Sequence, residues 1–91
     1  MPKPGKAQQI EVHETLFDES KWTKDSDGGL QVVLPGLARV EMVPAGDGMY
    51  KALVYLDSET WDFGDRPFYP LLTAKKEVWI KFQKRWSQEA D

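Results

Sequence analysis

The 91-residue chain contains no cysteine, one histidine, and no apolar run near the roughly 20 residues that cross a bilayer. The lack of cysteine removes disulfides, thiolate zinc sites, iron–sulfur clusters and cysteine nucleophiles together. A Ser–His pair would have to bring His13 against Ser20, Ser26, Ser58 or Ser87, and none of these stands in a G-x-S-x-G context. His13 is therefore read as a strand-edge or surface residue. Phosphate-cradling glycine loops are missing as well, since "DGG" and "GDG" are short, acidic and explained by turn geometry.

Carboxylates are plentiful but poorly spaced for metal. "DSDGG" begins like a calcium loop, yet places six and twelve counted from Asp25 hold Leu30 and Gly36, where that loop needs glycine and glutamate. Asp57, Glu59, Asp62 and Asp65 match no ligand template and read as a solvated acidic rim. No metal and no cofactor is expected. A domain this small hides about 60–65% of its unfolded surface and rarely houses a catalytic cleft, so the expectation is a protein that is not an enzyme.

What is present describes an α+β domain over residues 10–91, with residues 1–9 expected to be disordered because "MPKPGKAQQ" has nothing to bury. The same stretch is charged but has no apolar region behind it, so no signal peptide is expected and the protein is read as cytoplasmic. Net charge is −3, unevenly placed. Residues 1–70 carry seven basic against twelve acidic side chains, and residues 71–91 carry five against three.

"IEVHETLF" alternates apolar and polar residues and predicts a strand over Ile10–Glu14, though "ETLFDESKW" also allows a short helical turn. "KWTKDSDGGLQVVL" reads as two extended arms around a turn. Leu34-Pro35-Gly36-Leu37 suits a type II turn, in a connection longer than two residues. "ARVEMV" and "MYKALVYL" form the clearest hairpin, and the second of these strands has apolar residues on both sides, which predicts a sheet covered on both faces. The sheet should have three to five antiparallel strands within residues 10–57. Leu71, Leu72, Val78, Trp79, Phe82 and Trp86 fall on one helical face about 120° wide, so a long C-terminal helix starting between Leu71 and Ala74 should pack on that sheet, with Lys75 and Ile80 breaking the pattern.

Two segments remain as candidate sites. "WDFGDRPFYP" holds four of the chain's eleven aromatic residues between a sheet and a helix. Trp61, Phe63, Arg66, Phe68 and Tyr69 have the aromatic and arginine character of binding hot spots, with one or two rings expected in the open, Trp61 and Phe68 foremost. Lys76, Lys81, Lys84 and Arg85 line the polar side of the helix and could neutralise phosphates.

A bent antiparallel sheet followed by a C-terminal helix resembles chromodomains, whose aromatic cages hold methylated lysine. By that resemblance "YKALVYLDSETWDF" would supply the last strand and a cage tryptophan. The likeness rests on element order without a complete cage, and no family is assigned from it. The leading expectation is a small protein that binds another protein through residues 61–70, as an inhibitor or adaptor, without membrane association. The alternatives are a nucleic-acid binder using the basic helix and a small metal-dependent hydrolase.

Overall fold

The computed structural model describes residues 3–89. Alternation builds the sheet. In β2 (Leu30–Leu34), β3 (Ala38–Pro44) and β4 (Tyr50–Leu56), the buried side chains are Val32 and Leu34, Val40 and Met42, and Ala52 and Val54, all on one face. Two short strands, β1 (Thr23–Lys24) and β5 (Thr60–Asp62), complete a five-stranded antiparallel sheet in sequence order β1-β2-β3-β4-β5.

The turns follow from their residues. The Asp25 carboxylate accepts from the backbone N–H of Asp27 at 3.0 Å and of Gly29 at 2.9 Å, so it is spent on shaping "DSDGG". A Cβ on Gly29 would lie 2.7 Å from that carboxylate, so a larger residue there would push the Asp25 side chain out of these bonds. At "LPGL", Leu37 N–H donates to the Leu34 carbonyl at 3.0 Å and Gly36 takes φ +72°, as a type II turn requires. The register pairs Leu34 with Ala38, so the connection has three residues, longer than a two-residue hairpin as expected.

Helix α2 (Leu71–Glu89) lies over β4 and buries Ala74, Val78, Phe82 and Trp86 against the strands. Phe82 is fully enclosed and stacks on Trp86 with ring centroids 5.4 Å apart. Burying a side chain of this size stabilises the fold by roughly 1.5–3 kcal/mol. Trp79 sits half-buried at the rim of the face and Leu72 is exposed. Lys75, which interrupts the apolar pattern in sequence, is carried inside with only 4% of its surface accessible. No helix among the described residues is long and apolar enough to cross a membrane.

Two expectations are corrected. Ile10–Glu14 is not a strand but part of α1 (Lys6–Phe17), a helix that buries only Val12 and Leu16. Those two residues are four apart and meet one helical face, whereas Ile10, their partner in the alternating reading, stays exposed. Of the segment expected to be disordered, Lys6–Gln9 form the first turn of this helix, with Gln9 N–H donating to the Gly5 carbonyl at 3.0 Å. Residues 1 and 2 lie outside the described part.

The second correction concerns coverage. The core side chains of α1 and α2 join those of the strands in one cluster, so both helices lie on the same face of the sheet. The opposite face is left open, with Val33 62% exposed and Leu53 and Tyr55 half-buried. The apolar residues on that side of β4 are shielded by neighbours within the sheet: the Arg39 guanidinium lies 4.6 Å from the Tyr55 ring centre, and the Tyr55 hydroxyl donates to Glu41 at 3.4 Å.

Candidate functional site: the groove between the aromatic connector and α2

The aromatic connector runs back along the outer edge of β4. Thr60, Trp61 and Asp62 pair with Tyr55, Val54 and Leu53, and Phe68 then rejoins the same edge by exchanging backbone hydrogen bonds of 2.9 and 2.8 Å with Tyr50. Between them the chain loops outward through Gly64, whose φ is +77° and whose N–H donates to Asp62 Oδ1 at 3.1 Å. The segment thus finishes a sheet edge, and its loop and two prolines leave little regular backbone to template another strand.

Strand register decides where each ring goes. Trp61 faces inward, is 6% exposed, and stands 5.0 Å from the Phe82 ring centre. Its indole Nε1–H donates to Glu59 Oε1, while Arg85 donates to Glu59 Oε2 at 3.4 Å. The hydrogen bond from Trp61, with the Arg85 charge beside it, holds the Glu59 carboxyl below its ordinary 4.5. Phe63 and Phe68 are half-buried and meet edge to face at 6.1 Å. Tyr69 is 63% exposed with its ring against Gly48, and Arg66 is exposed. The expectation that Trp61 would be an open ring is therefore corrected: its place on β5 opposite Val54 sends it into the core, and Tyr69 is the open ring of the segment.

The basic side of α2 meets this segment directly. Lys81 holds its ammonium 5.6 Å from the Trp61 ring centre and 5.4 Å from that of Phe63. Lys84 is exposed and Arg85 half-buried one turn on. Together with Glu77, Ile80 and Gln88 these residues enclose a groove of about 350 Å³. Lys76 does not join them, because five residues along a helix place it about 140° away from Lys81. Three cations and the Glu77 carboxylate border the groove, while Asp62 and Asp65 of the segment itself are exposed. A larger hollow of about 660 Å³ lies between α1 and β2, but it has no ring on its floor and mixes acidic Glu11, Glu14 and Asp18 with Lys21 and Arg39.

The other candidate residues are dispersed. His13 is exposed on α1 and lies between Phe17 and Trp79, with ring centres 4.7 and 4.8 Å away. Among the described residues no three His, Asp or Glu side chains gather where they could hold a metal ion. Glu59 and Asp62 are engaged in the local bonds described above. The tryptophan that a chromodomain-like cage would need is enclosed by Phe82, so it offers no open ring to a methylated ammonium.

No family model, curated protein or solved structure matches the chain. The groove was half visible in the sequence, which supplied both its aromatic segment and three of its cations as separate candidates. Their meeting depends on tertiary packing. The available signal was the spacing of Lys81 and Arg85, four apart and next to the apolar face that docks on the sheet.

Proposed function

We propose that this protein is a small, non-catalytic cytoplasmic binding domain, an inhibitor or adaptor in kind, that holds an acidic and partly apolar segment of another protein in the groove between β5 and α2. The observation that carries this reading is Lys81 stationed over Trp61 and Phe63 beside Lys84, with the exposed Ile80 on the same border. A cation held against aromatic faces is partly desolvated before any ligand arrives, so an incoming carboxylate meets a positioned charge and loses less side-chain entropy. The half-buried Phe63 and exposed Ile80 offer apolar contact next to that charge. An acidic molecule with a cationic groove discriminates among partners by charge placement.

The same geometry favours a protein segment over nucleic acid. Stacking a base requires an open ring face, but Trp61 is enclosed and Phe63 is half-buried with the Lys81 ammonium 5.4 Å from its ring centre. Lys76 points away from the groove cations, so the four basic residues do not follow a phosphate track, and the net charge of −3 opposes long-range attraction.

The test is amide chemical-shift mapping on the isotope-labelled protein with three probes: a peptide of alternating glutamate and leucine, its lysine-for-glutamate counterpart, and a single-stranded oligonucleotide. The acidic peptide should shift Phe63, Ile80, Lys81 and Lys84 and weaken as salt rises, though less steeply than a ligand held by many phosphate contacts. Shifts with the oligonucleotide alone, or shifts of the acidic peptide that leave this groove untouched, would overturn the proposal.

A further inference from the structure

The strand edge beside α1 is a surface of a different kind. β1 is only two residues long and pairs with Leu30 and Gln31, and the residues before it form a short 3₁₀ turn, Glu19–Lys21. From Val32 onward β2 therefore has no strand beside it on that edge. Thr23 Oγ1 donates to the Gln31 carbonyl at 3.4 Å, which fixes that carbonyl on the β1 side. Backbone groups of alternate residues in a strand point the same way, so the N–H and carbonyl of Val33 also point outward. They meet no strand.

These outward groups open on the hollow of about 660 Å³ between α1 and β2, where Val33 and Pro35 face Glu11, Glu14 and Asp18. Its charge does not balance. Asp18 accepts from Ser20, and Arg39 is paired with Glu41 at 3.4 Å, which leaves Lys21 as the cation of the hollow. Glu11 and Glu14 are exposed, stand three apart on one side of α1, and have no ion pair among the described residues. The hollow thus joins an unpaired strand edge to two carboxylates that nothing nearby neutralises.

We infer that this hollow takes an extended basic segment of another protein as an added antiparallel strand on β2. One residue of that segment exchanges both backbone hydrogen bonds with Val33, and its side chain lies on the open face beside the Val33 side chain, which is 62% exposed. The next residue turns its side chain to the helix side of the sheet, as Leu34 does, where Glu11 and Thr15 stand beside Leu34 and Pro35. A lysine or arginine at that place meets the carboxylates. Register therefore selects an alternation of apolar and basic residues, a preference opposite in sign to that of the groove at β5. The added strand is short, because Trp22 precedes Thr23 at one end and Pro35 has no N–H to offer at the other, so binding is weak and reversible.

The probes are a short peptide alternating lysine and valine, its glutamate-for-lysine counterpart, and a copy of the first with its valine nitrogens methylated. Amide chemical shifts and hydrogen exchange are followed on the labelled whole chain. The lysine peptide should shift Glu11, Glu14 and Val33 and, at saturation, slow exchange of the Val33 amide about tenfold, whereas the glutamate peptide should leave that amide unprotected. Methylation removes the donor that reaches the Val33 carbonyl and should weaken binding about tenfold. Val33→Pro deletes the outward N–H where an edge strand tolerates proline, and E11Q/E14Q deletes the charge while keeping the strand; each should weaken the lysine peptide about tenfold, with thermal melts confirming the fold. If the proline variant does not fold, the methylated peptide and E11Q/E14Q still decide. A Val33 amide left unprotected by millimolar lysine peptide overturns the inference, as does a methylated peptide that binds equally well. Protection of Val33 that grows with protein concentration without peptide also overturns it, because the occupant would then be a second copy of the chain.

Discussion

The Lys75 ammonium stands 5.1 Å from the centre of the Trp22 ring, at the middle of the helical face that α2 turns toward the core. Trp22 is itself fixed, because its indole N–H donates to the Leu16 carbonyl at 3.0 Å. The contact joins the end of α1 to the start of α2 through a largely buried lysine. Burial lowers the Lys75 pKa from its ordinary 10.5, with the Glu19 and Asp18 charges opposing the shift.

Replacing Lys75 by Met should therefore stabilise the protein. Methionine fills similar volume without the desolvation cost, and the expected gain is on the order of 1 kcal/mol, a rise in Tm of about 4–8 °C for a domain of this size. The pH dependence has a definite sign. The folded state disfavours the charged form, so the destabilisation is complete below the lowered pKa and is relieved as pH rises from there through 10.5. Thermal melts of Lys75→Met and wild type from pH 7 to 11 should converge at the alkaline end. A lower Tm for the variant at pH 7 would mean that the Trp22 contact outweighs the cost of burial.

Glu59 should govern part of the acid response. Its carboxyl is held below 4.5 by the Trp61 hydrogen bond and by Arg85, so its contribution is present above the unfolded value and is lost as pH falls through the lowered one. Asp18 is lowered in the same way by its bonds to Ser20. In Glu59→Gln the urea midpoint should change less between pH 7 and pH 3 than in wild type. Equal slopes in the two proteins would show that Glu59 adds nothing.

The sheet and α2 were legible because each has one buried face and therefore one dominant period: two residues along β3 and β4, and 3.6 along residues 71–86. Helix α1 escaped that logic. With only Val12 and Leu16 inside, it carries almost no apolar stripe, and the exposed Ile10 completes a false alternation with Val12. Coverage of the sheet was misread for a related reason. Leu53 and Tyr55 look like core residues in a strand, but Arg39 and Glu41 on the neighbouring strand shelter them without a second layer. The candidate groove required knowing which ring β5 turns inward, and that follows from pairing Trp61 with Val54, a contact across a turn that composition does not encode.

The helical assignment of α1 separates residues that a strand would group. Ile10 and Val12 would share a face in a strand, but in the helix only Val12 and Leu16 reach the core. Leu16→Ala should cost about 2–5 kcal/mol and Val12→Asp should unfold the chain, while Ile10→Asp should leave Tm within about 2 °C. Equal sensitivity at positions 10 and 12 in thermal melts would contradict the helix.

Trp61 and Phe63 are two residues apart, and the proposed function assigns them opposite duties. Trp61 is enclosed by Phe82 and donates to Glu59, so Trp61→Ala leaves a cavity and takes from Glu59 one of its two partners, the other being Arg85. Its cost should be about 3–5 kcal/mol, much of what a small domain possesses. Phe63 is half-buried beneath Lys81, and its ring gives the groove apolar area that a ligand would finish covering. Phe63→Ala should lower stability by only about 1 kcal/mol, yet weaken the acidic peptide at least tenfold, because a truncated anchor loses most where the complex buries it most. Lys81→Met separates the two parts of the groove, keeping the stem that lies on the rings while removing the charge, and should weaken the acidic peptide without lowering Tm. Melting temperature and peptide affinity measured side by side on all three variants decide the matter. If Phe63→Ala and Lys81→Met bind the peptide as wild type does, the groove is not the site, and the 61–70 segment serves only to close the edge of the sheet.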